Sequence, residues 1–180
     1  IHAYTATASE RVREDIVEQL SLISPQILVG DFDRKNLIYR ILPRTNITNQ
    51  LVEVINKHKN EAGIIYCIRR KDVDELYTTL TKRGISCLPY HAGMSNEERT
   101  RNQEIFMSEK VDIILATVAF GMGIDRSNIR YVVHTGMPKS IEHYQQETGR
   151  AGRDGLEAEC ILFYSGSDAI VWKKLLGESD

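Results

Sequence analysis

The chain has 180 residues, enough for one domain of ordinary size plus a fragment of a neighbour. Its 42% apolar and 27% charged fractions exclude collagen-like, disordered and low-complexity classes. With 23 Lys and Arg against 25 Asp and Glu the net charge is −2, which excludes a polybasic protein; any contact with nucleic acid must come from a local cluster of positive charge.

No internal repeat occurs along the chain. It opens at Ile1 on what reads as a strand, without a methionine, and so reads as a piece of a longer protein. Thr7 to Glu10 has the T-x-x-E spacing of a capping box, and Val12, Ile16 and Leu20 recur on one helical face, predicting a first helix from near Ala8. Pro25 and the Gly30–Asp33 stretch interrupt it, and a mixed segment ending at Pro43 follows. A boundary or linker is placed in this segment, dividing the chain into 1–32 and 33–180.

From Gly63 the pattern is regular. Ile64 to Ile68 reads as a buried strand, and Val73, Leu76, Tyr77 and Leu80 as a helix that Gly84 ends. Ile85 to Leu88 reads as a second short strand, and Ser95 to Glu98 as a capping box opening a helix through Ile105 and Phe106. Val111 to Ala116 and Tyr131 to His134 read as strands. Ser140 caps a helix running toward Gly152, Cys160 to Tyr164 is another strand, and a last helix contains Trp172. This alternation predicts an α/β fold: an open, mostly parallel sheet with helices on both faces. In such sheets ligands gather at the carboxyl ends of the strands.

Cys67, Cys87 and Cys160 are widely spaced and include no C-x-x-C pair, which argues against a disulfide framework and a Cys-rich zinc site. A reduced, intracellular compartment fits that usage. Neither a basic-then-apolar leader nor a run of about 18 apolar residues occurs, so no signal peptide and no membrane contact are expected.

The richest stretch is Gln146-Glu147-Thr148-Gly149-Arg150-Ala151-Gly152-Arg153-Asp154-Gly155. If the helix from Ser140 continues, Gln146, Arg150 and Arg153 stand on one face, presenting two guanidinium forks suited to phosphate oxygens. The two glycines cost about 1 kcal/mol each in a helix, which implies close approach of another backbone or an early helix end. The plain alternative is a solvated charged turn. Arg69, Arg70 and Lys71 form the one three-residue basic run, at the end of a predicted strand, where a phosphate contact and a solvated helix start are both open. The five histidines, His2, His58, His91, His134 and His143, lack metal-ligand spacing. Aromatic residues make up 7% and do not interleave with basic ones, which argues against a stacking platform for bases.

Gln146 to Gly155 resembles the sixth motif of superfamily 2 helicases, and QETGRAGRDG resembles the RecQ branch in particular. Ala116 to Asp125 is similar to that family's motif V, Tyr90 to Met94 to its YHAG element, Gly63 to Cys67 to motif IV, and Thr5 to Ala8 to motif III. These elements follow the family's order and cover almost the whole chain.

The resemblance implies a RecA-like second lobe of an ATP-dependent DNA helicase, preceded by the last strand and helix of the first lobe. It implies ATP and Mg2+ bound mainly by that first lobe, single-stranded and partly duplex DNA as partner, 3′-to-5′ unwinding, and work in DNA repair and recombination, in a bacterial cytoplasm or nucleoid or a eukaryotic nucleus. The 180 residues contain neither a G-x-x-x-x-G-K-[ST] loop nor an Asp-Glu-x-His box, so they are expected to hydrolyse no ATP alone. By resemblance, Arg150 and Arg153 reach ATP, Gln146 couples, and Asp125, Gly123 and Arg153 line the nucleotide. The implied DNA track is Arg69, Arg70, His91, Ala92, Gly93, Thr117, Phe120, Lys139 and Ser140. Arg69 replaces the family's usual small polar residue, and Arg126 stands where the family usually has lysine. Two alternatives are a non-hydrolysing binding module for nucleic acid or protein and an RNA helicase lobe of the DEAD-box kind, whose sixth motif usually starts with histidine where Gln146 stands.

Overall fold

In the computed structural model of the chain, residue 3 and residues 10–27, 34–117 and 125–177 are described. The chain divides into two compact units, Ile1–Arg34 and Lys35–Asp180. The first contains α1 (Glu10–Gln19), none of whose residues is buried. The strand expected at Ile1 and the Thr7 of the first capping box lie outside the described residues.

The second unit runs β1 (Leu37–Pro43), α2 (Ile47–Lys57), β2 (Ala62–Tyr66), α3 (Arg70–Lys82), β3 (Leu88–Tyr90), α4 (Asn96–Met107), β4 (Ile113–Ala116), β5 (Ile129–His134), α5 (Ile141–Thr148), β6 (Ala158–Tyr164) and α6 (Asp168–Gly177). Its six strands pair in the order β1-β6-β5-β2-β4-β3, and every pairing is parallel. Parallel strands covered on both faces read as continuous apolar runs, and all five residues of β2 are buried. Side chains along each strand alternate between two cores. Ile64, Tyr66, Ile114, Ala116 and Val132 meet Phe106 of α4 on one face. Ile65, Leu115, Tyr131, Val133, Ile161 and Phe163 meet Leu51 of α2 and Val73 and Leu80 of α3 on the other.

The segment read as mixed, ending at Pro43, is in fact β1, and a helix follows it that the sequence reading leaves out. The strand is an edge strand, where a terminal proline costs no ladder hydrogen bond. The helix is capped by Asn46, whose Oδ1 accepts from the Asn49 N–H at 3.1 Å. Other expected signals act as read. Ser95 Oγ accepts from the Glu98 N–H, and the Glu98 carboxylate accepts from the Ser95 N–H. Gly84 takes a φ of +77°, its N–H bonding Thr81 O and that of Ile85 bonding Leu80 O, the two bonds of a Schellman motif. Because Ile85 is used in that cap, the short strand expected at Ile85–Leu88 begins only at Leu88. All three cysteines are free and buried. Among the described residues no helix is long and apolar enough to cross a membrane.

Near the amino end of β6, Glu159 meets Lys57 at 2.7 Å, Arg40 at 2.9 Å and His58 at 3.0 Å. Burial alone would raise its pKa, but hydrogen bonds from Lys57, His58 and Arg40 outweigh that and bring it from 4.5 to about 2. The folded value lies below the unfolded one, so the stabilisation is complete above about pH 4.5 and is lost as pH falls toward about 2. Urea unfolding of wild type and Glu159→Gln should show a stability gap that closes across that window. A gap constant with pH would remove the network's role.

Candidate functional site

At the carboxyl ends of β2, β3 and β4, local rules bring one group of the expected residues together. The Thr117 N–H bonds Tyr90 O at 3.2 Å, joining the loop after β4 to the end of β3. His91 is buried there, and its Nδ1 accepts from the Gly93 N–H at 3.1 Å. That bond puts the proton of the neutral ring on Nε2, which faces Asp74 Oδ1 at 3.0 Å. His91 therefore builds the turn from inside, while Ala92 and Gly93 are its exposed backbone. A Cβ on Gly93 would lie 3.4 Å from Arg70 Cδ, so Arg70, the first residue of α3, lies against this turn.

Arg69 is held differently. Asp72 accepts its backbone N–H at 3.2 Å and its guanidinium at 2.7 Å, a local clamp on the start of α3. Lys139 is exposed next to Ser140, whose Oγ caps α5 by accepting the His143 N–H at 3.3 Å. Phe120 and Gly123 lie outside the described residues. Beyond Arg69, a cleft of about 390 Å³ opens among Arg44, Ile68, Thr135 and Asp168. Arg44 spans it to Asp168 at 2.6 Å, so its charge is already matched.

A second group lies elsewhere. The helix expected to carry Gln146, Arg150 and Arg153 on one face ends at Thr148, with Gly149 as its C-cap, so the three do not share a face. Gln146 is exposed on the helix, Arg150 is half-buried past its end, and Arg153 is exposed. The turn then packs beside the amino end of β5, away from the carboxyl edge where the sheet rule directed attention: the Gly152 N–H bonds Ile129 O at 2.9 Å. Gly152 has φ +56°, and a Cβ there would lie 2.6 Å from Leu156 O, so both glycine explanations hold, an early helix end at Gly149 and a close backbone approach at Gly152. Asp154 locks the turn through Arg130 at 2.6 Å.

Arg153 Nη1 lies 3.2 Å from Asp125 Oδ1, and Asp125 is 88% exposed. Next to it Arg126 is buried. Its Nε donates to Asn128 at 2.9 Å, its Nη1 to the carbonyls of Phe106 and Val111 at 2.9 and 3.1 Å, and its Nη2 to Asp112 at 2.7 Å. Its guanidinium also lies 4.7 Å from the Phe106 ring centroid. A lysine has one nitrogen and could not serve these four partners, which explains what the arginine does here. It pins the segment carrying Asp125 to the end of α4.

A third feature was missed by the sequence reading. His134, at the end of β5, is buried with its Nε2 2.7 Å from Glu147 Oε2, and stacks on Tyr66 with centroids 5.2 Å apart. The signal available was a charged Glu147 flanked by residues of a motif, but its partner lies on another strand.

Residues 46–155 match the family model described as helicase conserved C-terminal domain. The chain is 44% identical over 178 residues to the ATP-dependent DNA helicase RecQ of Pasteurella multocida, covering 99% of this chain and 28% of that protein. It is 45% identical over 178 residues to the RecQ-like DNA helicase BLM of Xenopus laevis, covering 97% of this chain and 13% of that protein. The chain thus spans under a third of either relative. Among solved structures, Saccharomyces cerevisiae Dbp5 bound to RNA and ADP BeF3 superposes with a TM-score of 0.74 at 19% identity, over 97% of this chain and 47% of that one.

Proposed function

Because this chain belongs to the helicase conserved C-terminal domain family and its sequence is that of the RecQ branch, we propose that it is the second motor lobe of an ATP-dependent DNA helicase. The carrying observation is the Arg153–Asp125 pair. Both side chains stand at the surface, where such a pair is worth about 0–1 kcal/mol and exchanges readily for a better anion. A triphosphate brought to this face offers Arg153 that anion, and the guanidinium fork fits its oxygens. The donors here are cationic, so they suit phosphate; the Mg2+ ligands and the rest of the phosphate cradle belong to a first lobe, whose end is residues 1–32, residues 33–180 being the second lobe. Closure of the two lobes on ATP brings Arg153 to the transferring phosphoryl group, while Gln146, exposed on α5, couples closure to DNA.

DNA runs along the carboxyl edge of β2, β3 and β4. Arg70 and the Ala92 and Gly93 backbone meet its phosphates, joined by Thr117 and, at the head of α5, Lys139 and Ser140. These contacts position the strand without reading bases. Repeated closure and opening then drive 3′-to-5′ unwinding, in the service of repair and recombination.

Arg70→Ala in the full-length protein should weaken binding of different single-stranded sequences about equally and lower the slope of log affinity against log salt by roughly 0.7, the value for one phosphate contact. The measurement is a salt series of affinities, with thermal melts alongside. A stable variant with an unchanged slope removes Arg70 from the DNA track.

A further inference from the structure

The two groups of site residues lie at opposite edges of the sheet. The turn built by His91 follows the carboxyl end of β3, whereas Asp125 and its partner Arg153 stand beside the amino end of β5. One helix runs from the first edge to the second. Helix α4 begins just past Gly93 and ends just before β4 enters the sheet at Ile113, so its 12 residues cover about 18 Å between the two edges.

Of those residues only Asn102 and Phe106 are buried, and each is the place of a polar grip. Asn102 Nδ2 donates to Pro89 O at 2.8 Å. Pro89 lies in the middle of β3, directly before Tyr90, whose carbonyl accepts the Thr117 N–H, and His91, which builds the turn. Apolar contact is non-directional and lets a helix slide, whereas this hydrogen bond fixes the register of α4 along β3. At the other end Phe106 O accepts from Arg126 Nη1 at 2.9 Å, and the Phe106 ring lies 4.7 Å from the guanidinium. The carboxyl end of a helix carries partial negative charge, and α4 has no basic residue in its last turn, so the buried Arg126 supplies that cation from outside the helix. Val111 O at 3.1 Å and Asp112 at 2.7 Å tie the same guanidinium to the chain leaving α4. Arg126 is the next residue after Asp125, so a shift of α4 along its axis reaches Asp125 through one peptide unit.

We propose that α4 is the strut coupling the two halves of the site, with Asn102 and Arg126 as positioning residues that tie it to the DNA-facing turn at one end and to the Asp125 segment at the other. The inference rests on the reading that the turn faces DNA and that Asp125 and Arg153 face ATP. Neither Asn102 nor Arg126 touches either ligand; they transmit the occupancy of one to the geometry of the other.

The test uses the full-length protein and its ATPase with and without saturating single-stranded DNA, comparing wild type, Asn102→Ala, Arg126→Met and the double variant. Each single variant should lower the DNA-stimulated kcat about tenfold, the scale on which a broken link alters coupling between sites. The kcat without DNA, and the affinity for single-stranded DNA without nucleotide, should stay within twofold of wild type, which a general loss of structure would not allow. The double variant should be no worse than the poorer single one, because a strut released at one end transmits nothing. Stimulation kept within twofold in either single variant overturns the strut and leaves the chain from Thr117 to Asp125 as the route. Losses that multiply in the double variant, or an equal fall in kcat with and without DNA, also overturn it, showing two separate structural roles. A wild type that single-stranded DNA does not stimulate overturns instead the motor-lobe reading. If Arg126→Met melts more than about 5 °C below wild type, Arg126→Gln takes its place, with the same outcomes deciding.

Discussion

Replacing Arg153 with alanine in the full-length protein is expected to lower DNA-stimulated kcat by about 10³-fold or more, the range for an arginine that meets a phosphoryl group mainly in the transition state. KM for ATP should change far less, because an interaction made late contributes little to ground-state binding. The fold should survive: Arg153 is exposed and its partner Asp125 stands in solvent, so the lost ion pair is worth little. Arg153→Lys keeps the charge without the planar fork and should recover only part of the rate. Steady-state ATPase with melting curves on both variants decides the matter. A folded Arg153→Ala protein with kcat within about twofold of wild type would end the arginine's assignment to the reaction.

The largest effect on stability is expected at Gly63. A Cβ built there falls 2.0 Å from the Tyr131 ring, well inside van der Waals contact. Tyr131 cannot retreat, since it is fully buried in the sheet core and stacks on His58 at 4.8 Å. Gly63→Ala must therefore push β2 away from β5, and overpacking of this kind costs about 3 kcal/mol or more. Gly84→Ala is the matched control. Its Cβ would meet nothing within 4 Å, and its φ of +77° makes the cost one of backbone conformation alone, about 1 kcal/mol. Urea unfolding of both variants should show Gly63→Ala losing several times what Gly84→Ala loses; equal losses would mean that Tyr131 does move.

What the sequence told and what it withheld follows from how far apart the cooperating residues are. The caps at Gly84, Ser95 and Ser140 depend on neighbours within five residues, and each acts as its spacing indicates. Strand β1 is different: its last five residues are exposed at the sheet edge, so it lacks the burial pattern that marks a strand, and it is a strand because β6 pairs with it. The same holds for the site. The motif string placed Gln146, Arg150 and Arg153 within eight residues, yet whether they share a face depended on where α5 stops, and the helix ends at Gly149 with Arg150 half-buried beyond it. His134 offered no spacing signal because its partners are on β2 and α5.

The strand order has a consequence for how the protein is made. Among the described residues the only strand that pairs with β1 is β6, and Leu37 meets Ala158 in that register. On a ribosome adding about 5–20 residues per second, β1 waits several seconds with an apolar, unpaired edge before its neighbour exists. Strand β5 waits on its outer side for the same reason. The sheet therefore closes last between its edge strand β1 and β5, with the newest strand entering between two older ones. That insertion spans most of the unit's length, the kind of non-local step that slows folding and calls for chaperone shelter of the nascent chain.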